Sequence, residues 1–397
     1  MYYSSHIATA KQLLSGYDPQ IPLHVYLKKY FHQNKKHGSK DRKLIAAMCY
    51  NYFRLGFSFK DVPVEERILT GFFLCETMHS DFLHFFKPEW NKAINKSLEE
   101  KLAIGFDNHQ EQSSIKNIFP FKDELSTEVD PEKFNLSFLQ QPKLFIRIRP
   151  GQKNVVLKKL QAARVKYELI SESCIATANS SKIDAVIELD KEAVVQDYNS
   201  QRTGEFLKFK IQNLKSKISV WDCCAASGGK SIMAYDINPQ IQLTVSDKRK
   251  TILENLQKRF IKAGIKNYQS FVADFTTANC QLSTEKFDLI IADVPCTGSG
   301  TWARTPEQLY YFNQKQIKKY SALQKQIVEN VIHNLKPGGH FFYITCSFFK
   351  KENEDVVIFI KEKFNLKVVK VQLLKGYEIQ ADTMFAALLQ TRADRPI

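Results

Sequence analysis

At residues 287–296 the chain reads FDLIIADVPC, and at residues 340–346 it reads HFFYITC. Both stretches are short, rich in β-branched or aromatic residues and without polar alternation, which is typical of buried parallel strands. Each ends in a cysteine, Cys296 in the first and Cys346 in the second. Because ligands of open α/β sheets bind outside the carboxyl ends of the strands, the two stretches predict paired thiol chemistry at one sheet edge. Buried core cysteines would give the same local pattern.

The sequence around these strands continues the pattern. From about residue 194, strand-like runs alternate with helical ones, and the predicted strands span residues 220–223, 243–246, 271–273, 289–292 and 341–345. The helix predicted over residues 248–262 carries apolar side chains on one face and ends at Gly264. This alternation predicts an α/β domain over residues 194–397, with a doubly wound, Rossmann-like parallel sheet.

The first half of the chain has a different pattern. Residues 1–104 repeat apolar side chains at three- and four-residue steps, which predicts helices, and residues 105–135 indicate a linker. A strand over 144–148, a helix over 154–164 and a strand over 185–189 then predict a small α+β subdomain. We therefore divide this half into an all-helical domain with its linker at residues 1–130 and an α+β subdomain at residues 131–193.

Charge and composition limit the classes of function. The net charge of +15 favours a polyanionic partner, although excess lysine also serves solubility. The sequence has no apolar run long enough to span a bilayer and no signal-peptide pattern, so we expect a cytoplasmic protein without a membrane partner. The eight cysteines should then be reduced, and no CxxC pair or regular His/Cys spacing predicts a metal site.

The turn after the first Rossmann-like strand carries candidate cofactor residues. It reads CAASGGK, over Cys224, Ala225, Ala226, Ser227, Gly228, Gly229 and Lys230. Paired glycines let the backbone turn tightly and approach a nucleotide-like ligand, although such a loop alone is also an ordinary β–α turn. The loop lacks the spacing of triphosphate and dinucleotide sites.

Three carboxylates follow at successive strand ends. Asp247 lies where it can accept both hydroxyls of a ribose, Asp274 lies where it can face an adenine amino group, and Asp293 is the third. A ribose and adenine site without phosphate-binding spacing predicts, by elimination, S-adenosylmethionine as the cofactor.

The motifs DVPCTGSG at residues 293–300, TCS at 345–347 and ENE at 352–354 together resemble those of the RNA cytosine-5 methyltransferases. This is the bacterial ribosomal-RNA type related to the eukaryotic Nop/Sun proteins. CAASGGK resembles the family's cofactor loop, although the family usually has proline in place of Ser227, so we expect a less rigid turn here. Residues 194–201 resemble the segment that introduces the catalytic domain and residues 382–388 resemble its closing strand, so the resemblance covers roughly residues 140–397.

The resemblance implies a fold and a substrate. It implies a class I methyltransferase domain, preceded by a ferredoxin-like or RRM-like subdomain. The motifs SKDR at residues 39–42 and YFRLG at 52–56 resemble the NusB-like domain of the branch that methylates 16S ribosomal RNA. We therefore expect a monomer that acts on RNA, most directly 16S rRNA, and not on DNA.

The resemblance also assigns roles to residues. Cys346 is the nucleophile that adds to carbon 6 of cytosine, which makes carbon 5 able to take the methyl group. Cys296 serves the release step, in which the proton on carbon 5 is removed. Asp293 hydrogen-bonds the base during attack. An unperturbed thiol has a pKa of about 8.5, so Cys346 needs help to ionise, from Lys230 or from the positive sulfur of the cofactor.

Two basic stretches are candidate RNA contacts, although each alone is more often a solvated face. The first has aromatic residues interleaved and comprises Lys28, Lys29, Tyr30, Phe31, His32, Lys35, Lys36, Lys40, Arg42 and Lys43. The second comprises Arg147, Arg149, Lys153, Lys158, Lys159, Arg164 and Lys166, and Arg304 is a further candidate. The target cytosine must be unpaired or flipped out of its helix.

Three other functions remain open. A transfer-RNA cytosine-5 methyltransferase would use the same chemistry. A non-catalytic RNA-binding or ribosome-assembly factor would keep the fold without the reaction. A DNA cytosine methyltransferase fits less well, because in that class the nucleophile is the cysteine of the Pro-Cys motif, and here a second cysteine, Cys346, lies in TCS.

Overall fold

The chain folds into two units. The computed structural model describes residues 2–106, 115–212, 217–277 and 285–392. The first unit, here called the helical unit, comprises residues 1–123, 130–141 and 301–314. The second, the sheet unit, comprises residues 124–129, 142–300 and 315–397.

The helical unit is built from amphipathic helices. One of them shows why the sequence folds this way, because its buried residues Ile45, Met48, Cys49 and Tyr52 recur at three- and four-residue steps. The α-helices of the unit are Tyr2–Ser15, Leu23–Gln33, Ser39–Arg54, Val64–Cys75, Asp81–Phe86, Pro88–Lys92, Leu98–Gly105, Pro131–Ser137 and Pro306–Tyr310. Part of the predicted linker, residues 107–114, lies outside the described residues.

Two segments of the helical unit correct the domain boundaries predicted from sequence. Residues 301–314, which the sequence places in the catalytic domain, pack with the helical unit, where the rings of Trp302 and Phe312 lie 4.6 Å apart. Residues 130–141, placed mostly in the α+β subdomain, also belong to it. Both segments are separated in sequence from the rest of this unit. The periodicity of apolar residues predicts local helices and strands, and it does not predict which distant segments pack together.

A seven-stranded mixed sheet forms the larger part of the sheet unit, with strand order β10-β11-β9-β8-β5-β6-β7. Its strands are β5 Ser219–Asp222, β6 Gln242–Asp247, β7 Tyr268–Val272, β8 Phe287–Asp293, β9 Leu335–Thr345, β10 Lys367–Leu374 and β11 Met384–Gln390. Strands β5 to β9 pair in parallel, whereas β11 is antiparallel to both β9 and β10. The sheet is therefore parallel as predicted only over five of its strands.

The helices of the sheet unit connect and cover these strands. The helix Lys250–Ala263 ends at Gly264, whose φ of 76° allows the left-handed cap that the sequence predicts. The α-helices of this unit are Lys153–Ala162, Tyr198–Arg202, Gly204–Ile211, Gly229–Ile237, Lys250–Ala263, Lys315–Val331 and Glu354–Phe364. Within the described ranges, no helix is both long and apolar enough to cross a membrane.

A second, four-stranded sheet has the order β2-β3-β1-β4 and one helix against it. Its strands are β1 Leu144–Ile148, β2 Glu168–Ser171, β3 Cys174–Thr177 and β4 Ala193–Val195. The strand predicted over residues 185–189 is wrong, because this stretch follows a 3-10 turn at Ile183–Ala185 and makes a single bridge, from Leu189 to Ala193. The apolar side chains of Ile183 and Ile187 are buried there without a strand.

The strand order brings the candidate site residues to one edge. Strands β6, β5, β8 and β9 are consecutive neighbours, and they end at Asp247, Asp222, Asp293 and Thr345. Because these four strands run in parallel, their carboxyl ends meet at the same edge of the sheet.

Candidate active site

The turn after β5 has the tight conformation that its glycines predict. Gly228 has a φ of 83° and caps the helix Gly229–Ile237. A Cβ on Gly228 would lie 2.8 Å from the ring of Phe260 and 3.0 Å from Leu256, so glycine is required by both conformation and packing. A Cβ on Gly229 would meet no atom within 4 Å in the part of the chain that the structure describes, so the loop is open there to a ligand.

Asp247 lies against this loop. Its Oδ2 accepts a hydrogen bond of 3.1 Å from the backbone N–H of Ala226, and its two oxygens also accept from Arg249. Burial alone would raise the pKa of Asp247, but the hydrogen bonds from Arg249 and Ala226 outweigh it and lower the pKa. The carboxylate is therefore ionised at neutral pH, with both oxygens accepting, as a ribose diol would require.

Ser227 occupies the position where the family usually has proline, and the structure shows what holds the turn there. Arg259 donates to the Ser227 carbonyl oxygen at 2.8 Å and to its Oγ at 3.0 Å. The same guanidinium is paired with Asp190 at 2.7 Å. An arginine bridge thus tethers the turn from outside the loop.

Asp274 follows β7 by two residues and is bound within its own turn. Its Oδ1 accepts from the backbone N–H of Thr276 at 2.9 Å and from the Thr276 hydroxyl at 2.6 Å. The hydrogen bond from the Thr276 side chain is the largest of the effects that lower the pKa of Asp274. The adenine contact assigned to Asp274 stays a prediction.

Lys230 reaches the end of β8 and pairs with Asp293. Its ammonium lies 3.0 Å from Asp293 Oδ2 and donates to Ser200 Oγ at 2.8 Å. Lys230 is buried, whereas 30% of the Asp293 side chain is exposed. Lys230 therefore holds the Asp293 carboxylate, and the activation of Cys346 by Lys230 stays a prediction.

The two thiols predicted to work together are in contact. Cys296 Sγ and Cys346 Sγ lie 3.3 Å apart, although the two residues are fifty positions apart in the chain. The hydrogen bond with Cys346, together with burial, raises the pKa of Cys296 well above the ordinary thiol value. Cys296 therefore keeps its proton at neutral pH.

The backbone joins the two cysteine loops directly. Gly300 donates its N–H to the carbonyl oxygen of Cys346 at 2.8 Å, and its own carbonyl oxygen accepts from the N–H of Thr383 at 3.0 Å. A Cβ on Gly300 would lie 1.9 Å from the Thr383 oxygen and 3.0 Å from that of Cys346. Gly300, the second glycine of DVPCTGSG, is thus a point of close approach between three backbone segments.

We expect Gly300→Ala to destabilise the protein and to abolish its activity. The added methyl meets backbone oxygens that cannot rotate away, and overpacking of this kind costs about 1–3 kcal/mol or more. Thermal unfolding followed by circular dichroism measures the loss. The matched control is Gly229→Ala, whose methyl meets no atom within 4 Å and should leave the unfolding temperature nearly unchanged. Equal unfolding temperatures for the two variants would contradict the close approach.

Asp222, the last residue of β5, is a buried carboxyl group that the sequence analysis did not single out. Ser231 donates to its Oδ2 at 2.6 Å, whereas its Oδ1 is buried and has no hydrogen-bond partner among the described residues. Burial raises the pKa of Asp222 to about 7. The available signal was its position at a strand end beside the candidate cofactor loop, which it shares with Asp247 and Asp293.

We expect Asp222→Asn to gain stability relative to the natural protein as the pH rises from 5 to 8. The pKa of Asp222 is about 7 in the folded protein and 3.8 in the unfolded chain. Its contribution to stability is therefore full below pH 3.8 and is lost as the pH rises toward 7. The relative gain is roughly 2–3 kcal/mol at most over this range, measured by urea unfolding.

The control for this pH series is Asp288→Asn. Burial opposes ionisation of Asp288, but its hydrogen bonds to Lys336 and Ser219 prevail and lower its pKa. The contribution of Asp288 to stability is therefore present at a pH above its unfolded pKa and is lost only at lower pH. The difference in unfolding free energy between Asp288→Asn and the natural protein should thus stay constant from pH 5 to 8. If the difference in unfolding free energy between Asp222→Asn and the natural protein were also constant from pH 5 to 8, Asp222 would be ionised over that whole range.

The candidate RNA contacts differ in their exposure and in their contacts within the protein. Arg147 and Arg149 both bind Asp236, at 2.6 Å and 2.7 Å, so their guanidinium groups serve the fold. Phe31, one of the aromatic residues of the first basic stretch, is buried in the helical unit. Exposed side chains are Lys28, Lys29, His32, Lys35, Lys36, Lys40, Arg42, Lys43, Lys158, Arg164 and Lys166, whereas Tyr30, Lys153, Lys159 and Arg304 are half-buried.

Residues 209–392 match the family described as 16S rRNA methyltransferase RsmB/F. Over these residues the chain carries a domain of the RsmB/NOP/Sun type, in its bacterial 16S branch. Members of this RsmB/NOP/Sun-type family depend on S-adenosylmethionine, which agrees with the cofactor predicted from the loop and the strand-end carboxylates.

Individual relatives agree with this family. The chain is 31% identical, over 43% of its length, to the ribosomal RNA small subunit methyltransferase B of Shewanella oneidensis, and the match covers 38% of that protein. It is 27% identical to the probable ribosomal RNA small subunit methyltransferase B of Coxiella burnetii, over 80% of this chain and 82% of that one. The solved structure of PH0851 has the same fold, with a TM-score of 0.68, 18% identity and coverage of 93% and 95% of the two chains.

Proposed function

We propose that this protein transfers a methyl group from S-adenosylmethionine to carbon 5 of a cytosine in RNA, with 16S rRNA as the substrate. The contact between the Cys296 and Cys346 sulfurs, 3.3 Å apart beside Asp293, is the observation that carries the proposal. Cytosine-5 chemistry needs one thiol to activate the ring and a second group to take a proton from it. Two thiols at adjoining strand ends supply both.

The residues at the sheet edge fit the cofactor. Asp247 would bind the ribose hydroxyls, and the backbone of Gly229 would lie along the ligand, since a side chain there would enter the open space. Asp274 would face the adenine. The bound cofactor would supply an electrophilic methyl group, and the sulfur–methyl bond would break to leave S-adenosylhomocysteine. The other steps use side chains of this chain, with solvent as the final proton acceptor.

Cys346 makes the first bond in the proposed reaction. Its thiolate adds to carbon 6 of the cytosine, and carbon 5 becomes nucleophilic and takes the methyl group. Asp293 hydrogen-bonds the ring nitrogen and amino group of the base, and Lys230, 3.0 Å away, holds that carboxylate in place. Cys296 keeps its proton during attack because its pKa is raised, so it does not compete as a nucleophile.

Cys296 acts in the second step. In the adduct the Cys346 sulfur is bonded to carbon 6, so its thiol hydrogen bond and its charge no longer raise the pKa of Cys296. Cys296 then gives its own proton to solvent, and its thiolate accepts the proton from carbon 5. The electron pair of that C–H bond restores the double bond of the ring, the bond between carbon 6 and the Cys346 sulfur breaks, and Cys346 leaves as a thiolate. A thiol with a raised pKa forms a strong base once it is deprotonated, which suits this step.

The remaining parts of the chain support an RNA substrate. The small sheet has the strand order β2-β3-β1-β4 expected of an RRM-like subdomain, and we assign residues 1–130 to a NusB-like domain because of the SKDR and YFRLG motifs. The exposed cations of the SKDR region and the net charge of +15 suit a polyanion. An enzyme of 16S rRNA works in the cytoplasm, and we propose that it acts there as a monomer.

Transfer of labelled methyl groups to separate RNA pools tests this function. We expect purified protein and labelled S-adenosylmethionine to label unmodified 16S rRNA transcribed in vitro, and to leave unmodified tRNA and DNA unlabelled. Label in tRNA alone would replace the substrate and keep the chemistry. Cofactor binding without label in any nucleic acid would identify a non-catalytic assembly factor.

A further inference from the structure

Glu352 is a buried carboxylate that no step of the proposed reaction uses. Its side chain is fully buried, and it accepts hydrogen bonds from three residues. Thr297 donates its backbone N–H at 2.9 Å and its hydroxyl at 2.6 Å, and Gln324 donates at 3.2 Å. The fourth donor is the hydroxyl of Ser347.

The donors to Glu352 flank both cysteines. Thr297 follows Cys296 in the chain, and Ser347 follows Cys346. Gln324 also donates to the carbonyl oxygen of Pro295 at 3.1 Å, so the loop of Cys296 is held on both sides. One carboxylate thus connects the two loops whose sulfurs are in contact.

Glu352 is itself fixed, and the two loops depend on it unequally. The hydroxyl of Tyr343, in β9, donates to the Glu352 carbonyl oxygen at 2.6 Å. The Cys346 loop has further tethers, since Gly300 binds the Cys346 carbonyl oxygen and Asn353 donates to that of Ser347 at 2.9 Å. Thr297, in contrast, gives both its backbone and its side-chain donor to Glu352. Loss of the carboxylate should therefore displace Cys296 more than Cys346.

We propose that Glu352 is a positioning residue for the release step, holding Cys296 in reach of the proton on carbon 5 through its two hydrogen bonds to Thr297. This inference rests on the proposed cytosine-5 chemistry and adds to it. It predicts a specific failure when the carboxylate is removed, in which Cys346 still attacks and release becomes slow. A misplacement of about 1 Å is enough to cost on the order of 100-fold in rate.

The test compares Glu352→Ala with Glu352→Gln in the full-length protein, using unmodified 16S rRNA and S-adenosylmethionine. We expect Glu352→Ala to lose on the order of 100-fold in turnover and to accumulate a protein–RNA adduct that survives denaturing electrophoresis, although Cys296 is present. Glu352→Gln should restore turnover and remove the adduct. Its amide oxygen still accepts from the Thr297 N–H, and its amide hydrogens can bind hydroxyl oxygens that rotate to accept.

Two further variants separate positioning from misfolding. Glu354→Ala removes a nearby half-buried carboxylate that accepts a hydrogen bond from Ser126 at 2.9 Å, and it should accumulate no adduct. Thr297→Val keeps the backbone donor and removes the hydroxyl, so it should accumulate less adduct than Glu352→Ala. If Glu352→Ala fails to bind S-adenosylmethionine, Thr297→Val becomes the test. An adduct formed by Thr297→Val supports the positioning role of Glu352, and the absence of an adduct overturns it.

Other outcomes are equally decisive. Turnover and adduct in Glu352→Ala equal to those of the natural protein would overturn the inference, as would loss of turnover without adduct in a variant that still binds the cofactor. Failure of the proposed function can be told apart from failure of this inference. If the cytosine-5 chemistry itself were wrong, the Cys296→Ala protein would form no adduct either.

Discussion

Cys296→Ala will accumulate a covalent protein–RNA adduct at Cys346 when it is incubated with 16S rRNA and S-adenosylmethionine. The contact between the two sulfurs, 3.3 Å apart, is lost in this variant, but the backbone bond from Gly300 to the Cys346 carbonyl oxygen remains. Cys346 can therefore still add to carbon 6, whereas the proton on carbon 5 has no thiolate to accept it. The adduct is measured as a slow-migrating band on a denaturing gel that ribonuclease removes.

Cys346→Ala gives the opposite expectation. Without the nucleophile, carbon 5 is not activated, so we expect no adduct and methyl transfer below ~10⁻³ of the natural rate. The matched control is Cys174→Ala, which removes a buried thiol from β3 of the small sheet and should behave as the natural protein does. An adduct in Cys346→Ala and none in Cys296→Ala would reverse the two roles and leave the fold and the cofactor site unchanged.

Asp247→Ala will weaken the binding of S-adenosylmethionine by on the order of 100-fold, because two charge-assisted hydrogen bonds to the ribose are lost. The carboxylate is ionised at neutral pH and lies against the cofactor loop through the Ala226 N–H. Isothermal titration calorimetry with S-adenosylmethionine in the absence of RNA measures the affinity directly.

The substitution also breaks the pairing with Arg249, so Arg249→Ala is the matched control. Arg249 contacts Asp247 from a side chain that is 53% exposed, and its loss removes this ion pair while it keeps the carboxylate. We expect Arg249→Ala to bind the cofactor with nearly natural affinity. Affinity in Asp247→Ala within about threefold of the natural protein would place the ribose elsewhere, since a single charged hydrogen bond is worth more than that.

Local sequence pattern was enough to predict the sheet edge of this protein. The apolar runs before Asp247, Asp293 and Cys346 identify the strands, and a parallel sheet must bring their carboxyl ends together. The left-handed turn at Gly228 and the helix end at Gly264 also follow from residue type, because few other residues adopt those conformations.

Contacts between distant segments could not be read in this way. The sequence gives no sign that Glu352 binds Thr297, or that Lys230 pairs with Asp293, because these pairs are set by strand order. The return of residues 301–314 to the helical unit is hidden for the same reason. Burial of Phe31 and pairing of Arg147 likewise depend on the packing around each side chain.

The identity of the methylated nucleoside is the most direct test of the central claim. Unmodified 16S rRNA is incubated with the protein and S-adenosylmethionine, digested to nucleosides and separated by liquid chromatography with mass detection. The two-thiol site predicts 5-methylcytidine, formed by the natural protein and absent with Cys346→Ala. Methylation at the ribose, at the exocyclic amine of cytosine or on another base would contradict it, because none of those reactions needs a thiol at carbon 6.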